Sequence, residues 1–165
     1  SQQGVLSLQA GKTLEAAGKV SVKASMDEVW ALWSDFEQIP RWMPWIHSVT
    51  THEDGLSDWT LRKKVAGVPL QFSWRAQENP KEYHKLIHWS TITGLENHGR
   101  VEFEQELKDG VEMVDISMTI TYKLPRVVAF LLREKGPEKG GLANGIIERI
   151  IQADLLRFKR IIEKS

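Results

Sequence analysis

The apolar residues of this chain alternate with polar ones over a long central stretch and then change to a helical spacing. Alternation indicates strands, because successive side chains of a strand point to opposite faces. Turn signals such as Asp54-Gly55 and Asp109-Gly110 leave only short links, which favours antiparallel hairpins with one covered face and one wet face. The predicted strands are 19–24, 46–52, 59–65, 68–77, 83–93, 101–107 and 114–122, with 97–99 as a turn.

The C-terminal third has the spacing of an amphipathic helix. Residues 127–132 predict a short helix, and the glycines within 136–141 predict a break before a long one. The apolar stripe of the long helix comprises Leu142, Ile146, Ile150, Leu155, Phe158, Ile161 and Ile162. Its opposite face, which we expect to be solvated, carries Glu148, Arg149, Asp154, Arg157, Lys159, Arg160 and Glu163.

Two short helices are predicted between the first two strands, within 25–50. Ser25 is placed to cap the first one, and Glu28 follows three residues later, as in a capping box. Asp35 opens the second, which Pro40 and Pro44 interrupt. Residues 1–17 are expected to be a tail or a short pairing segment, and 18–165 a single domain.

The order of elements predicts an α+β fold: a curved antiparallel sheet of about seven strands wrapped around the long C-terminal helix. The two short helices after strand 1 close one end. Where the facing side chains of helix and sheet do not fill the space between them, a gap remains.

Composition excludes several classes of function. Lys+Arg and Asp+Glu are both 22, a balance that argues against nucleic-acid binding. Cysteine is absent, so thiolate catalysis and cysteine zinc sites are excluded. No run approaches the ~20 apolar residues of a membrane span, which leaves only transient membrane contact. We expect a soluble protein of the cytoplasm, or of a plastid or mitochondrion after removal of a targeting segment, and the residues indicate no oligomeric state.

The motifs resemble the START-related, or SRPBCC, superfamily, and within it the polyketide cyclase/dehydrase and coenzyme Q-binding START-like group. The segments that carry this resemblance are VWALWSDFEQIPRWMPWIHSV at 29–49, FSWRAQENP at 72–80, IHWSTITGLENHGRVEFE at 87–104, ITYKLP at 120–125 and ADLLRFKRIIE at 153–163. The resemblance implies the helix-grip fold and a cavity for a lipid, isoprenoid, quinone or polyketide-like molecule. One departure is that Pro125 stands alone where related sequences often have a proline pair and glycines.

Candidate ligand-binding residues follow from the inward faces of these elements. Each also has an alternative as ordinary core, and Trp30 and Trp33 are expected to be core only. Trp42, Trp59 and Trp74 lead the set, because an indole N–H can meet a ligand carbonyl. The full set is Trp42, Trp45, Trp59, Arg62, Leu70, Phe72, Trp74, Trp89, Phe103, Met118, Ile120, Tyr122, Phe130, Leu142 and Ile146.

The residues that flank the glycine break, Phe130, Leu142 and Ile146 among them, could form a lid, or the break could be a plain loop. A ligand would enter between the tip at 42–45 and residues 136–146. We expect a pocket of about 300–1,000 Å³.

A metal site is not expected. His84 and His88 would lie about 13 Å apart on one strand, too far for one ion. No cofactor motif and no catalytic residue set is identified, although Arg62, Arg75, His88 and Asp115 remain acid–base candidates if they enter the pocket instead of facing solvent.

Three functions remain open. The first is binding or transport of a hydrophobic small molecule in the internal cavity. The second is a cyclase or dehydratase acting on a polyketide-like substrate in the same cavity. The third is a protein-interaction module with a filled core. A cavity lined only by apolar side chains, with no titratable group in reach, counts against catalysis.

Overall fold

The computed structural model describes residues 13–133 and 141–164, which form a seven-stranded antiparallel sheet and three α-helices. This confirms the predicted α+β helix-grip architecture. In chain order the elements are β1 (Thr13–Val22), α1 (Met26–Ser34), a 3₁₀ helix (Phe36–Arg41), β2 (Ile46–Thr51), a 3₁₀ turn (Glu53–Gly55), β3 (Leu56–Val65), β4 (Val68–Glu78), β5 (Leu86–Gly94), β6 (Asn97–Lys108), β7 (Val111–Lys123), α2 (Arg126–Leu131) and α3 (Gly141–Glu163).

The strands lie in the order β1-β7-β6-β5-β4-β3-β2, so the meander from β2 to β7 is continuous and β1 returns to pair with the last strand. β1 begins at Thr13, six residues earlier than the predicted start at residue 19, because Thr13 to Gly18 pair in register with β7. Of the two alternatives for residues 1–17, a tail or a short pairing segment, the pairing segment applies from Thr13 onward. Residues 1–12 lie outside the described residues.

Two further predictions at strand ends were wrong. Asn97 to Gly99 are the first residues of β6 and not a turn, since they pair with β7 on one side. β5 begins at Leu86, because His84 has a φ of 65° in the turn that precedes it. His84 is thus not in a strand, and its ring instead contacts Asp27, with 2.9 Å between Nε2 and Oδ1.

The capping prediction for α1 is confirmed. The backbone N–H of Glu28 donates to Ser25 Oγ at 3.1 Å, and the Ser25 hydroxyl donates to Glu28 Oε1 at 2.9 Å. Asp35 caps the following 3₁₀ helix by accepting from the Glu37 N–H. Together the two helices cover one end of the concave face of the sheet.

α3 crosses that concave face and buries Ile151, Leu155 and Phe158 completely. It packs tightly against β1 at Gly18, where an added Cβ would lie 2.9 Å from Ile151 Cγ2. The glycine therefore permits the close contact between helix and strand.

The polar face of α3 was predicted to be solvated. Side chains on it instead form hydrogen bonds to the free edge of β1. Gln152 donates to Lys19 O at 2.9 Å and accepts from Lys19 N at 3.2 Å. Asn144 Nδ2 donates to Glu15 O, and Lys159 Nζ donates to Ser21 O. An exposed strand edge invites pairing with other chains, and these side chains occupy it instead.

Candidate functional site

A cavity of about 240 Å³ lies between the sheet and α3. Its walls come from the inward residues of β3 to β7, from the 3₁₀ helix and from the first turns of α3. It is smaller than the expected range. The residues that line it are Ile39, Met43, Trp45, Ile46, Trp59, Leu61, Lys63, Lys64, Val65, Ala66, Phe72, Trp74, Trp89, Leu95, Asn97, Met118, Ile120, Tyr122, Lys123, Leu124, Pro125, Val128, Leu132, Ala143, Ile146, Ile147 and Ile150.

Three stacked indoles form one wall of the cavity. The Trp59 ring lies 5.7 Å from that of Trp74 and 5.6 Å from that of Trp89, with interplanar angles of 16° and 20°. Phe36 meets Trp59 and Trp89 edge-on. Gly99 faces Trp89 across the strand pair, and an added Cβ there would lie 2.4 Å from the indole. Contacts from the 3₁₀ helix and from β6 therefore hold the stack in place.

Few polar atoms reach the apolar part of the cavity. The Trp59 N–H donates to Ser57 Oγ at 2.8 Å, and the Tyr122 hydroxyl donates to Asn144 Oδ1 at 2.9 Å. The Trp74 N–H is buried and has no hydrogen-bond partner among the described residues. Trp33 and Trp42 also carry unpartnered N–H groups, but neither lines the cavity.

Trp45, another residue of the wall, is held by a buried carboxylate. Its N–H donates to Asp154 Oδ2, and Arg157 Nη1 donates to Asp154 Oδ1 at 2.8 Å and to Trp42 O at 2.9 Å. Burial raises the pKa of Asp154 to about 6, against the opposing effect of these hydrogen bonds and of the Lys63 charge. Asp154 was predicted to be solvated and is instead 3% exposed.

The cavity opens between two segments that we call the mouth: residues 63–66 at the β3–β4 hairpin and residues 125–132 around α2. Lys63, Lys64 and Ala66 are exposed there while they also line the cavity. The predicted opening at 42–45 is wrong as to Trp42, which is fully buried. Of the predicted lid, residues 136–140 lie outside the described residues.

The structure brings most of the predicted site residues together. Nine of the fifteen predicted ligand-binding residues line the cavity: Trp45, Trp59, Phe72, Trp74, Trp89, Met118, Ile120, Tyr122 and Ile146.

Six predicted residues lie elsewhere. Trp42 packs at 5.1 Å on Phe158, and Phe103 lies in the core beside α1. Both are core, the alternative that the sequence had left open.

The other four of these lie near the mouth or at the surface. Arg62 and Leu70 line a separate hollow on the β3–β4 hairpin. Phe130 and Leu142 are 78% and 53% exposed, because they occupy the outward faces of α2 and α3.

Sequence reasoning missed several residues that line the cavity on the helical side, among them Ile39, Met43, Ala143, Ile147 and Ile150. It also missed the role of Asp154, although a signal was present. Ile147, Ile151, Asp154 and Phe158 are spaced as one helical face, so Asp154 occupies an otherwise apolar position.

The acid–base candidates lie away from the cavity. Arg75 pairs with Asp58 on the outer face at 2.8 Å, and this contact, with His52, lowers the pKa of Asp58 to about 2. Asp115 accepts from Ser21, and His88 contacts Pro80 O.

Residues 13–133 and 141–164 contain no group of three or more His, Cys, Asp or Glu side chains that could hold a metal ion. In the same residues, no helix has both the length and the apolar character needed to cross a bilayer.

Comparisons with known proteins agree with this geometry. The chain is 29% identical over 133 residues to an uncharacterized 17.2 kDa protein of Streptomyces lincolnensis, covering 80% of this chain and 78% of the other. A crystal structure of DR_A0006 from Deinococcus radiodurans is 25% identical with a TM-score of 0.60, covering 89% of this chain and 95% of that one. A START superfamily protein from Mycobacterium smegmatis is 17% identical with a TM-score of 0.60, covering 91% and 97%.

Residues 22–132, more than half of the chain, match the family described as polyketide cyclase/dehydrase and lipid transport. That range runs from the end of β1 through α2 and includes the indole stack and the mouth. The chain therefore belongs to the polyketide cyclase/dehydrase and lipid transport family.

Proposed function

We propose that this protein binds a small hydrophobic molecule in the cavity between the sheet and α3 and carries or senses it. The observation that carries this proposal is the void itself: well-packed interiors leave few spaces larger than a water molecule, and this one is bounded mainly by apolar side chains. Burial of apolar ligand surface there contributes about 25 cal/mol per Å² before ordering costs.

The size of the cavity limits the ligand. At about 30 Å³ for each non-hydrogen atom, the share of a water molecule in the liquid, about 240 Å³ holds on the order of eight such atoms. A chain of eight carbons fits this space. A larger isoprenoid, quinone or polyketide-like molecule would extend through the mouth or displace side chains such as Met118, whose thioether adapts readily.

The unpartnered Trp74 N–H favours a ligand with one hydrogen-bond acceptor. A buried donor without a partner costs about 1–3 kcal/mol, and an acceptor on the ligand removes that penalty. Trp59 lacks this feature, since its N–H already donates to Ser57. A carbonyl or hydroxyl group within the apolar body would therefore be oriented toward Trp74.

The lining favours binding over cyclisation or dehydration. A proton-transfer mechanism needs an acid or base within reach of the ligand. No Asp, Glu or His of the described residues lines the cavity, and of the lysines in the lining, Lys63 and Lys64 lie exposed at its mouth and Lys123 is paired with Glu96. Tyr122 is the one hydroxyl in that lining, and it donates to Asn144. Asp154 lies behind Trp45, with both carboxylate oxygens engaged.

The test is a titration with octan-1-ol, read by tryptophan fluorescence and by native mass spectrometry. Ile146→Phe adds a larger side chain to a half-buried position of the lining and should lower the affinity at least tenfold while the protein stays folded. Leu156→Phe is the matched control, since Leu156 is 42% exposed on the same helix and does not line the cavity.

Binding that is lost in Ile146→Phe and kept in Leu156→Phe supports the proposal. No saturable binding by the wild type, or equal binding by both variants, contradicts it. Conversion of a bound polyketide-like substrate to a product of altered mass would favour the cyclase alternative instead.

A further inference from the structure

A second hollow of about 520 Å³ lies on the β3–β4 hairpin, lined by Arg62, Lys63, Lys64, Pro69, Leu70 and Gln71. Lys63 and Lys64 line both this hollow and the apolar cavity, so they mark the junction of the hairpin with the mouth of the cavity. A molecule that fills the cavity and projects from its mouth would pass these two residues.

The charge around this junction is positive, although the whole chain has a formal charge of zero. Three of the six residues that line the hollow are cations, and none is an acid. Neither Lys63 nor Lys64 forms an ion pair with the part of the chain that the structure describes. The third lysine that lines the cavity, Lys123, is paired with Glu96 at 3.5 Å.

Other charged groups near the junction leave these lysines available. Arg62 precedes Lys63 on β3, so its side chain points to the opposite face of the sheet, where Nε donates to Gln71 Oε1 at 2.9 Å. Asp154 feels the Lys63 charge, but its own oxygens accept from Trp45 and Arg157, and it is buried.

On the basis of the proposed function, we propose that the ligand is amphipathic, with its apolar body in the cavity and an anionic head group, a carboxylate or a phosphate, at the mouth beside Lys63 and Lys64. The arrangement follows from solvation. An ionised group inside an apolar cavity is strongly disfavoured, so the charge stays at the mouth in contact with water and with the lysines. An ammonium head group in the same place would be repelled.

The experiment compares ligands with the same eight-carbon body: octanoate, octyl phosphate, octylammonium and octan-1-ol. Exposed ion pairs are individually weak, so the two lysines together should favour octanoate over octylammonium on the order of tenfold at low salt. Octan-1-ol reports on the cavity alone. The ratio of the affinities for octyl phosphate and octanoate identifies which of the two anions binds better beside Lys63 and Lys64.

The double variant Lys63→Gln/Lys64→Gln should remove most of the preference for octanoate over octylammonium, a ratio in which any change that the substitutions make to the cavity wall itself cancels. Lys108→Gln is the control: it also removes one positive charge and should keep the preference. Lys108 lies at the β6–β7 hairpin, about 36 Å from the cavity residue Asn97 along β6, at 3.3 Å per residue.

If octan-1-ol binds but the wild type does not distinguish octanoate from octylammonium, this inference is overturned and the proposed function stands. The same holds if the double variant keeps the full preference. If no eight-carbon ligand binds, the proposed function fails and this inference fails with it.

Discussion

The indole N–H of Trp45 donates to the buried carboxylate of Asp154, which joins one wall of the cavity to the middle of α3. Arg157 holds the other carboxylate oxygen and also the backbone of Trp42. The segment that follows the 3₁₀ helix and α3 are thus connected by polar contacts at a place where most neighbours are apolar. This connection fixes the Trp45 ring at the edge of the ligand space.

The raised pKa of Asp154 predicts a characteristic dependence of stability on pH. Its pKa rises from 3.8 to about 6 on folding, so the folded state binds more protons than the unfolded state between these values. The stability that this group contributes is present below about pH 4 and is lost as the pH rises through about 6, by about 3 kcal/mol.

Asp154→Asn removes this titration. The free energy of unfolding of the variant, relative to the wild type, should therefore increase by about 2–3 kcal/mol between about pH 4 and about pH 7.5. Urea unfolding of both proteins across this range measures the difference. A constant difference at every pH would show that Asp154 has an ordinary pKa in the folded protein.

Trp74→Phe should weaken the binding of octan-1-ol on the order of fivefold, because it removes a buried cavity-lining indole N–H that has no partner among the described residues. Trp59→Phe is the matched comparison. It removes an N–H that already donates to Ser57, so it should lower stability and have less effect on the hydrogen bond to the ligand. Equal losses of affinity in the two variants would rule out Trp74 as the donor.

Gly99→Ala should destabilise the protein by about 1–3 kcal/mol. The new Cβ would lie 2.4 Å from Trp89 Cζ2, and the indole cannot retreat without disturbing its stack on Trp59. Gly145→Ala is the same substitution on α3, with no atom closer than 4.0 Å, and it should stabilise the protein by up to about 1 kcal/mol. Thermal unfolding distinguishes the two, and a neutral Gly99→Ala would contradict the close contact.

Gln152→Met keeps the length of the side chain but removes both hydrogen bonds to Lys19. We expect a loss of about 0.5–1.5 kcal/mol in unfolding free energy and faster hydrogen exchange at the Lys19 amide. The amide of Val20, which faces β7, should be less affected. Arg149→Met, at an exposed position of the same helix, is the control. Unchanged exchange at Lys19 would mean that the edge of β1 does not depend on Gln152.

The fold could be predicted because the apolar residues follow two different spacings in two different parts of the chain. Alternation from Ile46 to Tyr122 gave the meander, and helical spacing after Leu142 gave α3, since each element buries a single face. The start of β1 was missed because Thr13 to Gly18 owe their structure to β7 and α3, which are distant in sequence. Gly99 was taken for a turn residue, whereas its role is to make room for Trp89.

The site could be predicted only in part, for a related reason. Alternation identifies which side chains face inward, and most of those on β3 to β7 do line the cavity. It does not say where the space is filled: Trp42 and Phe103 face inward too, but Trp33 and other aromatic residues pack against them. The pairing of Asp154 with Trp45 joins residues far apart in the chain, so no local pattern contains it.

The central claim is that a hydrophobic molecule occupies the space between α3 and the sheet. Intermolecular nuclear Overhauser effects between octan-1-ol and methyl groups of the protein test it most directly. The account predicts contacts to the methyls of Met118, Ile120 and Ile146, which line the cavity from both sides. Contacts confined to surface methyls such as those of Leu107, with none to these three, would contradict it.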